Sequence, residues 1–243
     1  MKEFVNTVPG VNQLNENEYL QFRIRPGAVK KVLIVGNSIT RHAPKADIGW
    51  YGDWGMAASE PAKDYVHLVE KGLMEYFGLI SLCVAQAAEW ESHVHAEKRA
   101  ILEERYQPAA DFETDIIIVR IGENIDINRT SVQELADDFK EMIRFFGSKR
   151  PGVQVVLTGL FWWFPEHEKA VHLVAEQEGY RFVALKDLGI DEKMTAKGLF
   201  EHGGVAGHPG DLGMEHIAER ILEAVKRAGV TVLTHNYFRR IFS

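Results

Sequence analysis

Three polar residues stand where acyl-transfer chemistry can be assembled. They are Ser38 in Gly36-Asn37-Ser38-Ile39-Thr40, Asn124 in Arg120-Ile121-Gly122-Glu123-Asn124, and His208 in Gly207-His208-Pro209-Gly210-Asp211-Leu212-Gly213. A serine hydroxyl becomes a good nucleophile at neutral pH only beside a base, and an imidazole is such a base. A carboxamide N–H can hold the negative oxygen of a tetrahedral intermediate. Each residue also has a plain structural reading. Ser38 could cap a helix or bind an anion at its start, and Asn124 could serve a turn. A lone histidine is commonly a core or surface residue. Thr40 excludes the lipase-type nucleophile elbow, which needs glycine there.

The remaining histidines point to no metal. His167 and His172 flank a glutamate, but their five-residue spacing turns the second ring off the face of the first on a helix. His93 and His95 alternate within a polar, Glu-rich segment with no third ligand, which reads as a solvated face. No cofactor is expected.

The elements that must position these residues follow from apolar runs. Val32 to Val35, Ile80 to Val84, Ile116 to Ile121, Val153 to Leu157 and Phe182 to Leu185 suit strands buried on both faces. Cys83, the one cysteine, falls inside the second run and reads as core. Between the runs lie stripes at helical spacing: Tyr65 to Phe77, Leu135 to Phe146, Lys169 to Gln177 and Met214 to Val225. Alternating strand and helix argues for a parallel sheet covered on both sides. In such sheets ligands bind beyond the carboxyl ends of the strands, where Ser38, Asn124 and His208 all fall. Residues 1–30 read as a leader packed on the domain, with a short edge strand at Tyr19 to Ile24 and a turn at Pro26-Gly27. Residues 31–243 read as a single domain.

Taken together and in order, the three blocks resemble those of the SGNH/GDSL hydrolases, over most of residues 31–227. The resemblance implies a flavodoxin-like three-layer α/β/α sandwich with a five-stranded parallel sheet. It implies ester hydrolysis through an acyl-enzyme, with Ser38 as nucleophile, His208 as base, and an oxyanion hole from Ser38, Ala87 and Asn124. Ala87 is the match to a glycine whose backbone N–H serves the oxyanion in that family.

The sequence departs from the family where an aspartate is expected three residues before the histidine. That position is Val205. Three arrangements are open. The Val205 carbonyl could orient His208 in a dyad; a carboxylate such as Glu201 could complete a triad; or the site could be dead. Asp211 reads instead as the N-cap of the last helix. Trp50, Trp54, Trp162 and Trp163 flank the strand ends, as a substrate wall or as loop packing.

The expected activity is therefore a serine esterase acting on a short acyl group, acetyl by preference, on a carbohydrate. The competing readings are a thioesterase or lysophospholipase with the same site, a decayed binding module, and a phosphate binder at Gly36 to Thr40. A net charge of -7, with no long basic block, argues against nucleic acid as a main partner. The short basic pair Arg239-Arg240 reads as a solvated tail. No run reaches the roughly 18 apolar residues of a membrane span. The start, Met1-Lys2-Glu3-Phe4, lacks an apolar signal core, so the expectation is a soluble cytoplasmic protein, with homo-oligomer formation open. Asn128-Arg129-Thr130 fits a glycosylation sequon that a cytoplasmic protein would leave unused.

Overall fold

The computed structural model describes residues 19–227. The rest of the expected leader, residues 1–18, and the Arg239-Arg240 end lie outside the described residues. The chain forms strand β1 (Leu20–Arg23), β2 (Lys30–Gly36), helix α1 (Tyr65–Phe77), β3 (Ile80–Gln86), α2 (Ala88–Ser92) and α3 (His95–Ala110). There follow β4 (Ile116–Arg120), α4 (Val132–Gly147), β5 (Gln154–Thr158), α5 (Pro165–Glu178), β6 (Arg181–Val183), α6 (Lys186–Gly189), α7 (Gly203–Ala206) and α8 (Asp211–Lys226).

The sheet order is β1-β3-β2-β4-β5-β6. Five strands are parallel, as expected, in the flavodoxin-like order, and β1 adds a sixth, antiparallel edge strand on β3. The chain reverses its winding between β2 and β4, so the ends of those two strands bound the crevice where ligands bind.

The strands are apolar throughout because both faces are covered. Along β2 the side chains alternate: Val32 and Ile34 meet α1 and α8, whereas Leu33 and Val35 meet α3, α4 and α5. Along β4, Ile116 and Ile118 join the first core and Ile117 and Val119 the second. Cys83 is fully buried in the second. Local signals start and stop the helices. The Asp64 carboxylate caps α1 by accepting from the His67 N–H. Ser131 and Glu134 form a reciprocal capping box on α4, and left-handed Gly179 ends α5.

Helix α3 has no clear stripe in the sequence, because charged residues are interspersed among the apolar ones along it. Its buried face includes Leu102, Tyr106 and Ala109. Buried Lys98 lies on that helix, paired to Asp138 at 2.7 Å, with its ammonium 4.2 Å from the Trp90 ring centroid. His95 opens this helix and bonds Asp138 at 2.5 Å. Among the described residues no helix is long and apolar enough to cross a membrane.

Candidate active site

Ser38 sits in a turn directly beyond β2. The turn closes when the Thr40 and Arg41 N–H groups donate to the Asn37 carbonyl, at 2.9 and 3.0 Å. Only glycine fits at position 36: a Cβ there would lie 1.7 Å from Thr40 Oγ1 and 2.9 Å from the Arg120 carbonyl oxygen. The Ser38 carbonyl accepts from Met56 N–H at 2.9 Å, while its own N–H finds no acceptor among the described residues.

His208 comes from the loop between α7 and α8. The loop is pinned on both sides: the Ala196 N–H donates to the His208 carbonyl (2.8 Å), and His208 N–H donates to Val205 (3.0 Å). At Gly213 an added Cβ would fall 2.2 Å from the Met194 carbonyl oxygen, so the helix start packs tightly on the preceding segment.

These constraints bring Ser38 Oγ within 2.8 Å of His208 Nε2. On the other side of the ring, Nδ1 lies 2.7 Å from the Gly204 carbonyl. A carbonyl only accepts, so the ring proton resides on Nδ1, and Nε2 is left bare to accept from the Ser38 hydroxyl. Burial pushes the His208 imidazole down to about 4, against the Gly204 carbonyl, and positive charge on Arg120 and His42 adds to the effect. At neutral pH the ring is therefore an uncharged base.

Asn124 is held from below by a buried carboxylate. Its Nδ2 donates to Glu91 Oε2 at 2.6 Å, and its backbone N–H reaches Glu91 Oε1 at 3.3 Å. Glu91 Oε1 also accepts from Gly122 N–H (2.6 Å) and from Asn37 Nδ2 (3.1 Å). Asn37, the residue before the serine, in turn donates to Glu123 Oε2 (2.7 Å) and accepts from Arg120 Nη1 (3.0 Å). Fully buried Arg120 pairs with Glu123. Burial pushes the Glu91 carboxyl up, and the hydrogen bonds from Asn124, Asn37 and Gly122 oppose that shift. This network was not anticipated from sequence. Its one visible trace is Arg120, a charge ending a strand whose other four residues are apolar.

No protein-family model and no curated protein sequence matches the chain. Solved structures do. The esterase EstA from Pseudoalteromonas sp. superposes with a TM-score of 0.52 at 12% identity, over 81% of this chain and 97% of that one. TesA gives 0.55 at 17%, over 81% and 98%. A protein described as a GDSL-like lipase from Parabacteroides merdae gives 0.54 at 20%, over 81% and 95%. The chain has the fold of the GDSL-type hydrolases. Within this fold Ser38 and His208 come together, and Asn124 lies on the adjoining β4 loop.

Four expectations are corrected. The Ala87 N–H, expected at the oxyanion, instead donates to the Gly36 carbonyl at 2.6 Å, because β3 runs beside β2 in register up to Gln86 and Gly36. The carbonyl that orients His208 belongs to Gly204, one residue before the expected Val205. The turn of α7 directs that carbonyl at the ring, while Val205 buries its side chain with Trp50, Met56 and Ala196. Asp211 is the first residue of α8 rather than its cap, which is Gly210. The Asp211 carboxylate accepts from Ser59 N–H and Oγ, both at 2.7 Å, and from Lys63 Nζ at 3.0 Å. Trp50 is a core residue, 2% exposed, donating to the His42 carbonyl at 2.9 Å, so it packs the loop and forms no wall.

The other expected residues divide. Glu201 is exposed, and His208 Nδ1 bonds Gly204 rather than a carboxylate. Trp54 donates to the Ala58 carbonyl at 2.9 Å and packs on Trp50. Trp162 meets the His208 ring edge to face, centroids 4.8 Å apart, and donates to the Gly207 carbonyl at 3.1 Å. Trp163 is 45% exposed. His167 is buried under the β4 loop and donates to the Ile121 carbonyl; His172 packs on Phe182.

Proposed function

We propose that this protein is a serine ester hydrolase working through a Ser–His dyad. The observation that carries the reading is the Ser38 Oγ–His208 Nε2 contact of 2.8 Å, backed by Nδ1–H donation to the Gly204 carbonyl. His208 takes the hydroxyl proton as Ser38 Oγ bonds to the ester carbonyl carbon. The resulting oxyanion is held by the Ser38 N–H and one Asn124 Nδ2–H. The donor expected of Ala87 is instead the next N–H, that of Ala88, which has only a 3.3 Å contact to Gln86 Oε1. Protonated His208 then gives its proton to the leaving alcohol. Water, deprotonated by the same ring, releases the acid from Ser38.

A backbone carbonyl does half the work of the family's aspartate. It fixes the tautomer, but it supplies no full negative charge to the imidazolium that forms during reaction. The substrate we favour is a short acyl ester, acetyl by preference, on a carbohydrate. The support is exposed Trp163 beside Trp162, which touches the base and so sets an aromatic face at the edge of the site.

Hydrolysis of p-nitrophenyl acetate by wild type and Ser38→Ala, with fluorophosphonate labelling located by peptide mass, tests the reading. Wild type should turn over and carry the label on Ser38, and the variant should do neither. Near-wild-type turnover in Ser38→Ala would overturn it.

A further inference from the structure

We propose that Glu91 is a positioning residue that sets which face of the Asn124 carboxamide points into the oxyanion hole. The inference rests on the esterase reading above and deepens it.

An asparagine carboxamide has two faces, a donor and an acceptor, that differ little in shape. Reversed, Asn124 would aim an oxygen at the developing oxyanion and repel it. Something must select the donor face. Glu91 can, because an ionised carboxylate only accepts. Its Oε2 takes one Asn124 Nδ2 proton at 2.6 Å, which leaves the second Nδ2 proton for the substrate. Glu91 is itself 2% exposed and cannot swing away. Its Oε1 is fixed by Gly122 N–H, Asn37 Nδ2 and Asn124 N–H. Two of those donors are backbone groups that cannot reverse. Asn37 Nδ2 cannot reverse cheaply either, because its partner oxygen is engaged by Arg120 Nη1 at 3.0 Å. Glu91 thus joins the residue before the nucleophile to the oxyanion loop and fixes both.

This arrangement makes Glu91→Gln informative, since it keeps size and removes only charge and one acceptor. The glutamine oxygen must take the Oε1 position, where three donors converge. Its NH2 must then face Asn124 Nδ2, donor against donor. The cheapest relief is reversal of the Asn124 carboxamide, which gives the glutamine an acceptor and turns an oxygen into the hole.

The test is a double-mutant cycle on p-nitrophenyl acetate, with kcat and KM measured separately and folding checked by circular dichroism. Asn124→Ala should lower kcat by about 10²–10³, the usual cost of one oxyanion donor. Glu91→Gln should lose at least that much in kcat, with little change in KM. The double variant should stay within about twofold of Asn124→Ala, because both remove the same interaction. Full additivity would show that Glu91 acts on stability or on another group, and would overturn the proposal. So would near-wild-type kcat in folded Glu91→Gln while Ser38→Ala is dead. If Ser38→Ala keeps turnover, the parent reading fails first and takes this inference with it.

A second measurement needs no folded Glu91 variant. In wild type the Asn124 side-chain amide, assigned by its loss in Asn124→Ala, should show one proton shifted downfield and slow to exchange. Two protons exchanging like a free amide would overturn the proposal.

Discussion

The acid limb of the pH–rate profile is the most direct check on the environment of His208. The base works only when neutral, so kcat/KM follows its deprotonated fraction in the free enzyme. An ordinary histidine, at the unperturbed value of 6.5, would be only about 3% deprotonated at about pH 5. With the imidazole pushed down to about 4, the fraction at the same pH is about nine-tenths. The enzyme should therefore keep most of its plateau kcat/KM at about pH 5, where a solvent-exposed Ser–His pair would have lost more than about 90% of it.

Acid unfolding competes with this signal, and its sign is fixed by the same shifts. Burial lowers both His208 and His167 from 6.5 to about 4 in the folded state. Between those values the unfolded chain binds more protons, so stability is complete above 6.5 and falls as pH drops toward 4. At about pH 5 the loss is about 2 kcal/mol per histidine, or about 4 kcal/mol for the two. The assay should follow chromatographic release of the alcohol at each pH, with near-ultraviolet circular dichroism on the same samples. A limb centred between about pH 6 and 7, with the fold intact, would show that His208 is hydrated and ordinary, and the burial argument would fail.

The remaining predictions concern the acid, the oxyanion loop and the substrate. Glu201→Gln and Asp211→Asn should each leave kcat within about tenfold of wild type, whereas loss of a true triad aspartate costs about 10⁴; a collapse in either would name a third catalytic member. Gly122→Ala should cost about 3 kcal/mol or more in urea unfolding, because it combines left-handed strain with overpacking. At that position φ is +140° and a Cβ would lie 2.1 Å from Nε2 of buried His167. A midpoint equal to wild type would show that the β4 loop relaxes freely. Across p-nitrophenyl esters the rate should be highest at acetyl, and rates climbing steadily from C2 to C10 would refute the short-acyl assignment.

Much of the architecture was legible in the sequence because it depends on local patterns. Strands covered on both faces must be apolar along their length, so Val32 to Val35 and Ile116 to Val119 announce a parallel sheet. The turn glycine at 36 marks the strand end where Ser38 sits, and Pro209 with its neighbouring glycines marks the shaped loop that carries His208. Helix α3 escaped because its charges hide a buried face that becomes visible only when the sheet is there to cover it.

The finer chemistry was decided by the tertiary structure, since it depends on which groups meet across long sequence separations. No local pattern says that Ala87 N–H will be taken by the Gly36 carbonyl; that follows from β3 lying in register beside β2. Nor does any pattern say that Glu91, in a polar stretch resembling a solvated face, will be buried against Asn37, Gly122 and Asn124. The missing aspartate is the sharpest case. From the sequence alone, Val205 left a backbone dyad, a distant carboxylate and a dead site all open. Only the fold, by turning the Gly204 carbonyl onto Nδ1, decides that the histidine is oriented by a dipole without a charge.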